Sequence, residues 1–236
     1  MAKASGSVVT LSLGVGLATG LYGISFGALA ITAGLNIWQA MVLSLLMFSG
    51  GSQFAFIGVL ATGGSAALGA AIASAWLLGV RNGFYAVRMA PILAKVGLKK
   101  LIPAMITIDE STLVSISQDA LPAQRKGFWL TGGFVYLFWN LATLLGAFLG
   151  SSIGDVSKFG LDAAAAAAFV ALIWSRLDTR SARLVALVAI VLAVALTPVL
   201  PAGIPVLVAG LSAVFIGWFG PKAAPLADST ETEVSE

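Results

Sequence analysis

The sequence predicts an all-α integral membrane protein, a polytopic helical bundle of about seven transmembrane helices, or eight if one ambiguous segment also crosses, with broken helices. Three observations predict it. No Asp, Glu, Lys or Arg occurs between Ala4 and Val80. Hydrophobic residues make up 59% of the 236-residue chain and charged residues 10%, against roughly 25% charged in an average soluble domain. A bilayer core about 30 Å thick needs roughly 20 apolar residues per helix, so the uncharged stretch holds about three crossings before Arg81.

Composition also excludes functions. The chain has no Cys and no His, which removes disulfides, thiol chemistry, haem and ordinary zinc sites and leaves only carboxylates and carbonyls as metal ligands. A Ser-His hydrolase is excluded, and no nucleophile–base pair suggests an enzyme. The expected cofactor set is empty. A net charge of +3 reads as loop charge at a membrane face, with no nucleic acid as partner.

The apolar runs follow in order at 8–33, 37–60, 66–93, 128–150, 163–174, 184–199 and 204–219. The first is longer than the apolar core of a signal peptide and follows a weakly basic start, so it reads as a retained helix. The run at 163–174 is short and extends to Arg176 by snorkelling. An eighth segment, 101–118, carries Asp109, Glu110 and many Ser and Thr residues. The domain reading is one transmembrane unit, 1–222, followed by a disordered acidic tail, 223–236.

Cytoplasmic loops carry an excess of Lys and Arg. Setting aside Arg81 and Arg88 as intramembrane candidates, nine basic residues share one side and Lys3 and Lys158 lie opposite if 101–118 does not cross. Seven crossings, an outside N-terminus and an inside C-terminus in the cell inner membrane are therefore expected. A faint repeat relates 8–100 to 128–220: Phe26-Gly27-Ala28-Leu29 before Gly34-Leu35-Asn36 echoes Leu145-Gly146-Ala147-Phe148 before Gly160-Leu161-Asp162. Opposite orientation of the two would give the inverted-repeat plan of secondary transporters; Gly-Ala-rich helices also resemble one another by composition alone.

The polar interruptions carry the functional signal. Ser49-Gly50-Gly51-Ser52-Gln53 sits inside an apolar run. Two adjacent glycines cost a helix about 1 kcal/mol each relative to Ala, and a discontinuous helix exposes N–H groups at one end and C=O groups at the other, matched to the poles of an amino acid. Close helix packing is the alternative use of Gly50 and Gly51.

Arg81-Asn82-Gly83-Phe84-Tyr85 follows. Arg at a bilayer centre costs at least ~2.5 kcal/mol on insertion scales, so Arg81 is expected to face a cavity, a substrate carboxylate, or Asp109 or Glu110. Arg88 reads as a snorkelling residue near the cytoplasmic end. Two adjacent carboxylates in a partly buried site cannot both ionise cheaply, which makes Asp109 and Glu110 the proton-coupling candidates; the same residues also read as acids at a helix N-terminus. Asp162 reads as a cap for the helix from Ala163. Trp139 and Asn140 sit mid-helix, with Asn140 a candidate for bonding across helices.

Five blocks in order then carry a resemblance: Gly23 to Ala28, Phe48-Ser49-Gly50-Gly51-Ser52-Gln53-Phe54, Arg81…Tyr85…Ala90-Pro91, Asp109-Glu110, and Trp139…Leu144-Leu145-Gly146-Ala147 with Gly160-Leu161-Asp162. Together they resemble the AzlC (YgaZ) family over about Gly20 to Gly220. The resemblance implies export of branched-chain amino acids with a small hydrophobic AzlD (YgaH)-type membrane subunit as partner. Relatives usually place His after the Arg of the third block, where this chain has Asn82, which can hydrogen-bond but cannot titrate.

The leading expectation is a secondary transporter exporting branched-chain or similar neutral amino acids, with or without proton coupling. Its substrate-binding candidates are Ser49, Gly50, Gly51, Ser52, Gln53, Arg81, Asn82, Tyr85, Trp139 and Asn140, with Phe54, Phe56, Phe84 and Trp139 forming an apolar pocket. A passive small-solute channel, a non-transporting membrane subunit and an ABC-type permease are the alternatives.

Overall fold

The computed structural model describes residues 7–94, 97–153, 170, 173–174, 177–201 and 203–219. The helix cap expected of Asp162, most of the 163–174 run, the second half of the repeat motif and the acidic tail lie outside them. All regular structure among the described residues is helical. Three helical runs are long and apolar enough to cross a membrane: 8–32, 50–93 and 121–152.

Helix α1 (Val8–Thr32) starts where the Ser7 hydroxyl accepts a bond from Val9 N–H. It packs along its length on α7 (Leu121–Ile153). The small residues of α1 make that seam. Ser12 accepts from Thr131 at 2.9 Å, Gly16 meets Phe134, Gly20 meets Phe138, and Gly27 meets Thr143 and Ala147. Both numberings rise together, so α1 and α7 are parallel. The two segments read as a sequence repeat, around Gly27 and Gly146, touch each other here.

Between them the chain makes two re-entrant pairs. Helix α2 (Ile37–Leu46) opens with a full capping box: Asn36 Oδ1 accepts from Gln39 N–H at 2.8 Å, and Gln39 Oε1 accepts from Asn36 N–H at 2.9 Å. It starts at the end of the bundle where α1 finishes and descends α7. Ser44 Oγ donates to Thr143 Oγ1, and the Tyr136 hydroxyl donates to the Leu45 carbonyl, each at 3.3 Å. The chain breaks at Met47-Phe48-Ser49 and α3 (Gly50–Gly63) climbs back. Phe54 of α3 packs edge-on against Phe26 of α1. At Gly64, with φ +56°, the chain reverses into α4 (Leu68–Leu93). Gly51 then faces Leu78 and Arg81, and Gly79 faces Ser52, so α3 and α4 are antiparallel.

The second pair enters from the opposite end. Arg125 donates from Nε to the Ile92 carbonyl at 2.6 Å, which ties the foot of α4 to the foot of α7. A one-turn 3-10 helix (Gly97–Lys100) and α5 (Leu101–Met105) carry the chain up to Ile106, which packs on Gly132. Helix α6 (Asp109–Ile116) descends again, with Val114 against Gly127 and Ser115 Oγ donating to the Gln124 carbonyl at 2.9 Å. Helices α8 (Arg180–Leu196) and α9 (Ile204–Phe219) pack on each other, and α9 lies along α4 through Gly203 at Ala70 and Gly210 at Leu77.

Two expectations are corrected. The run 37–60 is not a crossing: its 10-residue and 14-residue halves span about 15 and 21 Å at 1.5 Å per residue and fold back on the same end. The segment 101–118 does not cross either, the alternative that the distribution of basic residues favoured. Removing the 37–60 crossing moves the N-terminal end of α1 to the end that carries Lys99, Lys100, Arg125 and Lys126, where the sequence had placed it opposite. Large apolar side chains such as Trp38, Trp76, Phe84 and Trp218 point outward, as lipid-facing residues do.

Candidate functional site

The two breaks meet at mid-depth. Arg81 lies 13 residues from the start of α4 and 12 from its end, about 20 and 18 Å at 1.5 Å per residue. Gly50 at the head of α3 rests against the Trp139 ring, and Asp109 at the head of α6 meets Arg81. The half-helix N-termini thus approach each other from opposite ends with Arg81 between them. Around them lies a cavity of about 490 Å³, lined by residues including Phe48, Ser49, Gly50, Gly51, Phe54, Leu78, Arg81, Asn82, Ile108, Asp109, Glu110, Val135 and Trp139. That volume is in the range of small-molecule sites.

The polar half is built on helix ends. No side chain among the described residues caps α3; the first N–H groups of a helix have no intrahelical acceptor, and Gly50 and Gly51, at that end, line the cavity. A Cβ on Gly51 would sit 2.9 Å from Arg81 Nη2; glycine is what admits the guanidinium to the first turn of α3. Arg81 Nη2 pairs with Asp109 Oδ2 at 3.0 Å. The Tyr85 hydroxyl donates to the other Asp109 oxygen at 2.5 Å. Arg81 Nε is buried without a partner among the described residues, as is Asn82 Oδ1. Asp109 and Glu110 occupy the first turn of α6, where negative charge complements the helix dipole.

The apolar half is held by one buried amide. Gln53 is fully buried. Its Nε2 donates to the Met47 carbonyl at 2.8 Å and more weakly to Ser44 at 3.4 Å, closing the frayed end of α2. Its Oε1 accepts from Trp139 Nε1–H at 2.9 Å. The indole, stacked on Phe26 and edge-on to Phe54, is thereby fixed as a cavity wall.

The structure brings together Ser49, Gly50, Gly51, Arg81, Asn82, Asp109, Glu110 and Trp139, and places the other candidates behind them. Ser52 accepts a hydrogen bond from Ser49 at 3.2 Å, Gln53 supports Trp139, and Tyr85 holds Asp109. Asn140 does not bond across helices: its Nδ2 donates to the Tyr136 carbonyl one turn back at 2.8 Å, and its Oδ1 is buried without a partner among the described residues. Phe84 faces outward, and Phe56 lines a groove beside α2 rather than the central cavity. Sequence reasoning missed Thr19, Tyr22, Phe48 as a wall, Leu78, Ile108, Val135 and Ile173. Only Tyr22, a lone phenol among the small residues of α1, carried a signal.

Comparison with models of known protein families matches residues 14–153 to the AzlC protein. The chain belongs to the AzlC family. The matched span runs from α1 to the end of α7, so both half-helix pairs and nearly all of the cavity lie within the AzlC match. Neither curated proteins nor solved structures give a match.

Proposed function

We propose that this AzlC-family chain is a secondary carrier that exports branched-chain or similar neutral amino acids across the cell inner membrane, working with a small AzlD-type subunit. The observation that carries the reading is Arg81, set between two opposed half-helix N-termini in a largely apolar mid-depth cavity. A carboxylate is matched by Arg81 and the N–H groups of Gly50 and Gly51. An ammonium is matched by Asp109 and Glu110, and an aliphatic side chain by Phe48, Phe54, Val135 and Trp139. Placing the basic end of the bundle in the cytoplasm, as the excess of Lys and Arg favours, puts the N-terminal end of α1 inside as well. Asp109 and Glu110 stay the groups for any proton coupling.

Efflux of labelled valine from cells preloaded through dipeptides tests this. Saturable efflux that needs both subunits and is lost in Arg81→Ala, with the variant still in the membrane, is the expected result. Efflux no greater than from empty-vector cells, with both subunits inserted, would remove the proposal. A passive channel is the second reading, because opposed half-helices also build selectivity filters; flux that rises without saturation and accepts many small solutes would favour it.

A further inference from the structure

The central ion pair has a property that a simple binding site lacks: the partner of Arg81 is itself a carboxylate. Asp109 presents to the guanidinium the group that an amino acid would present, from the head of one half-helix, while the other half-helix lies against the same guanidinium through Gly51. We infer that Asp109 is a built-in stand-in for the substrate carboxylate, and that it makes the site demand a zwitterion. This rests on the carrier reading above.

A ligand carboxylate in the cavity meets the guanidinium of Arg81 beside the α3 N-terminus, and competes with Asp109 for it. A carboxylate with no cation beside it leaves Asp109 and Glu110 facing a second anion in a cavity walled by apolar side chains, where like charges repel strongly. An α-ammonium on the same molecule removes that conflict, because Asp109 exchanges the guanidinium for the ammonium. A primary amine lacking a carboxylate leaves Arg81 and the uncapped α3 N–H groups without their anion. Both poles are therefore required. Tyr85 tunes the exchange by holding the second Asp109 oxygen, so that the carboxylate turns without leaving the head of α6. Asp109 is in this sense a specificity-determining residue rather than only a ligand.

The test is counterflow of labelled valine in membrane vesicles from cells making the full chain with its small partner. The competitors are unlabelled valine, 2-oxoisovalerate, which keeps the carboxylate and lacks the ammonium, and isobutylamine, which lacks the carboxylate. In the native protein valine should compete at least about ten-fold better than either analogue, the worth of one charge-assisted hydrogen bond. In Asp109→Asn the 2-oxo acid should gain about ten-fold relative to valine, while isobutylamine should gain nothing.

Equal competition by the 2-oxo acid in the native protein would overturn the inference and leave the carrier reading standing. So would an unchanged oxo-acid to valine ratio in an Asp109→Asn protein that still runs counterflow. Should Asp109→Asn be inactive, the native competition order alone decides. Absence of valine counterflow in the native protein would overturn the carrier reading itself, and the inference with it.

Discussion

Replacing Gln53 by Met keeps the length and burial of the side chain and removes its polar atoms. It thereby isolates what the amide contributes. Two well-formed bonds disappear, one from Gln53 Nε2 to the Met47 carbonyl and one from Trp139 Nε1 to Gln53 Oε1; the third, at 3.4 Å, is weak. Side-chain hydrogen bonds inside membrane proteins measure about 0.6 kcal/mol on average and up to about 1.7, so the pair is worth about 1 to 3 kcal/mol. For a chain of this size each kcal/mol shifts Tm by about 2–4 °C, and a central loss of ~2 kcal/mol gives a drop of about 4–8 °C. The assay is thermal unfolding of the detergent-purified protein, read by intrinsic fluorescence and by size-exclusion recovery. Trp139 emission should also change, since the indole loses its partner. A Gln53→Met protein with native Tm and native valine transport would refute the claim that this amide fixes the re-entrant pair and the cavity wall.

Further outcomes are expected elsewhere. Gly27→Val should fail to yield a monodisperse protein, because a Cβ there overlaps the Thr143 carbonyl oxygen and lies 2.7 Å from the Ala147 amide nitrogen; Gly14→Ala, with open space around it, should behave as native on the same column. Gly51→Ala should leave stability within about 1 kcal/mol of native yet raise the KM for valine, since its methyl displaces only the end of Arg81. Cysteine placed at Lys100 or Gln118 should react with an impermeant maleimide from one face of the membrane, and cysteine at Ser65 from the other. The native chain has no competing thiol; labelling of the Lys100 and Gln118 positions from opposite faces would disprove the re-entrant path of α5 and α6, and labelling of Ser65→Cys from the same face as both would disprove the crossing of α4.

The helical class and the membrane environment were legible because they depend only on the length of the apolar runs. The interruption at Ser49 to Gln53 was legible too, since Gly50 and Gly51 weaken a helix and polar residues in hydrocarbon need a reason. What hydropathy could not show was direction. A ten-residue and a fourteen-residue half-helix add up to the length of one crossing, and nothing local states that α3 returns to the end α2 came from. That information lies in distant partners: Thr143 and Tyr136 for α2, Phe26 for α3, Gly132 and Gly127 for the second pair. For the same reason Gln53, one of the substrate-binding candidates, proved to be occupied with Met47 and Trp139. The pairing of Arg81 with Asp109 was one of several partners open in the sequence, and only the meeting of α4 with α6 selects it.

The seam between α1 and α7 also sets a timetable for biogenesis. Ser12 and Thr131, which bond across it, are 119 residues apart. At synthesis rates of about 5–20 residues per second, α1 enters the membrane roughly 6–24 s before the helix that covers its glycines is made. Throughout that interval the Gln53 amide oxygen and the head of α3 lack the Trp139 indole against which they are finished. The first half-helix pair is thus an unfinished element awaiting its second wall. A ribosome stalled before α7 would leave on the membrane a chain with both the glycine face of α1 and a broken backbone uncovered. Quality-control proteases that extract chains with polar groups exposed to lipid would find their target there, in the N-terminal half, for as long as α7 is missing.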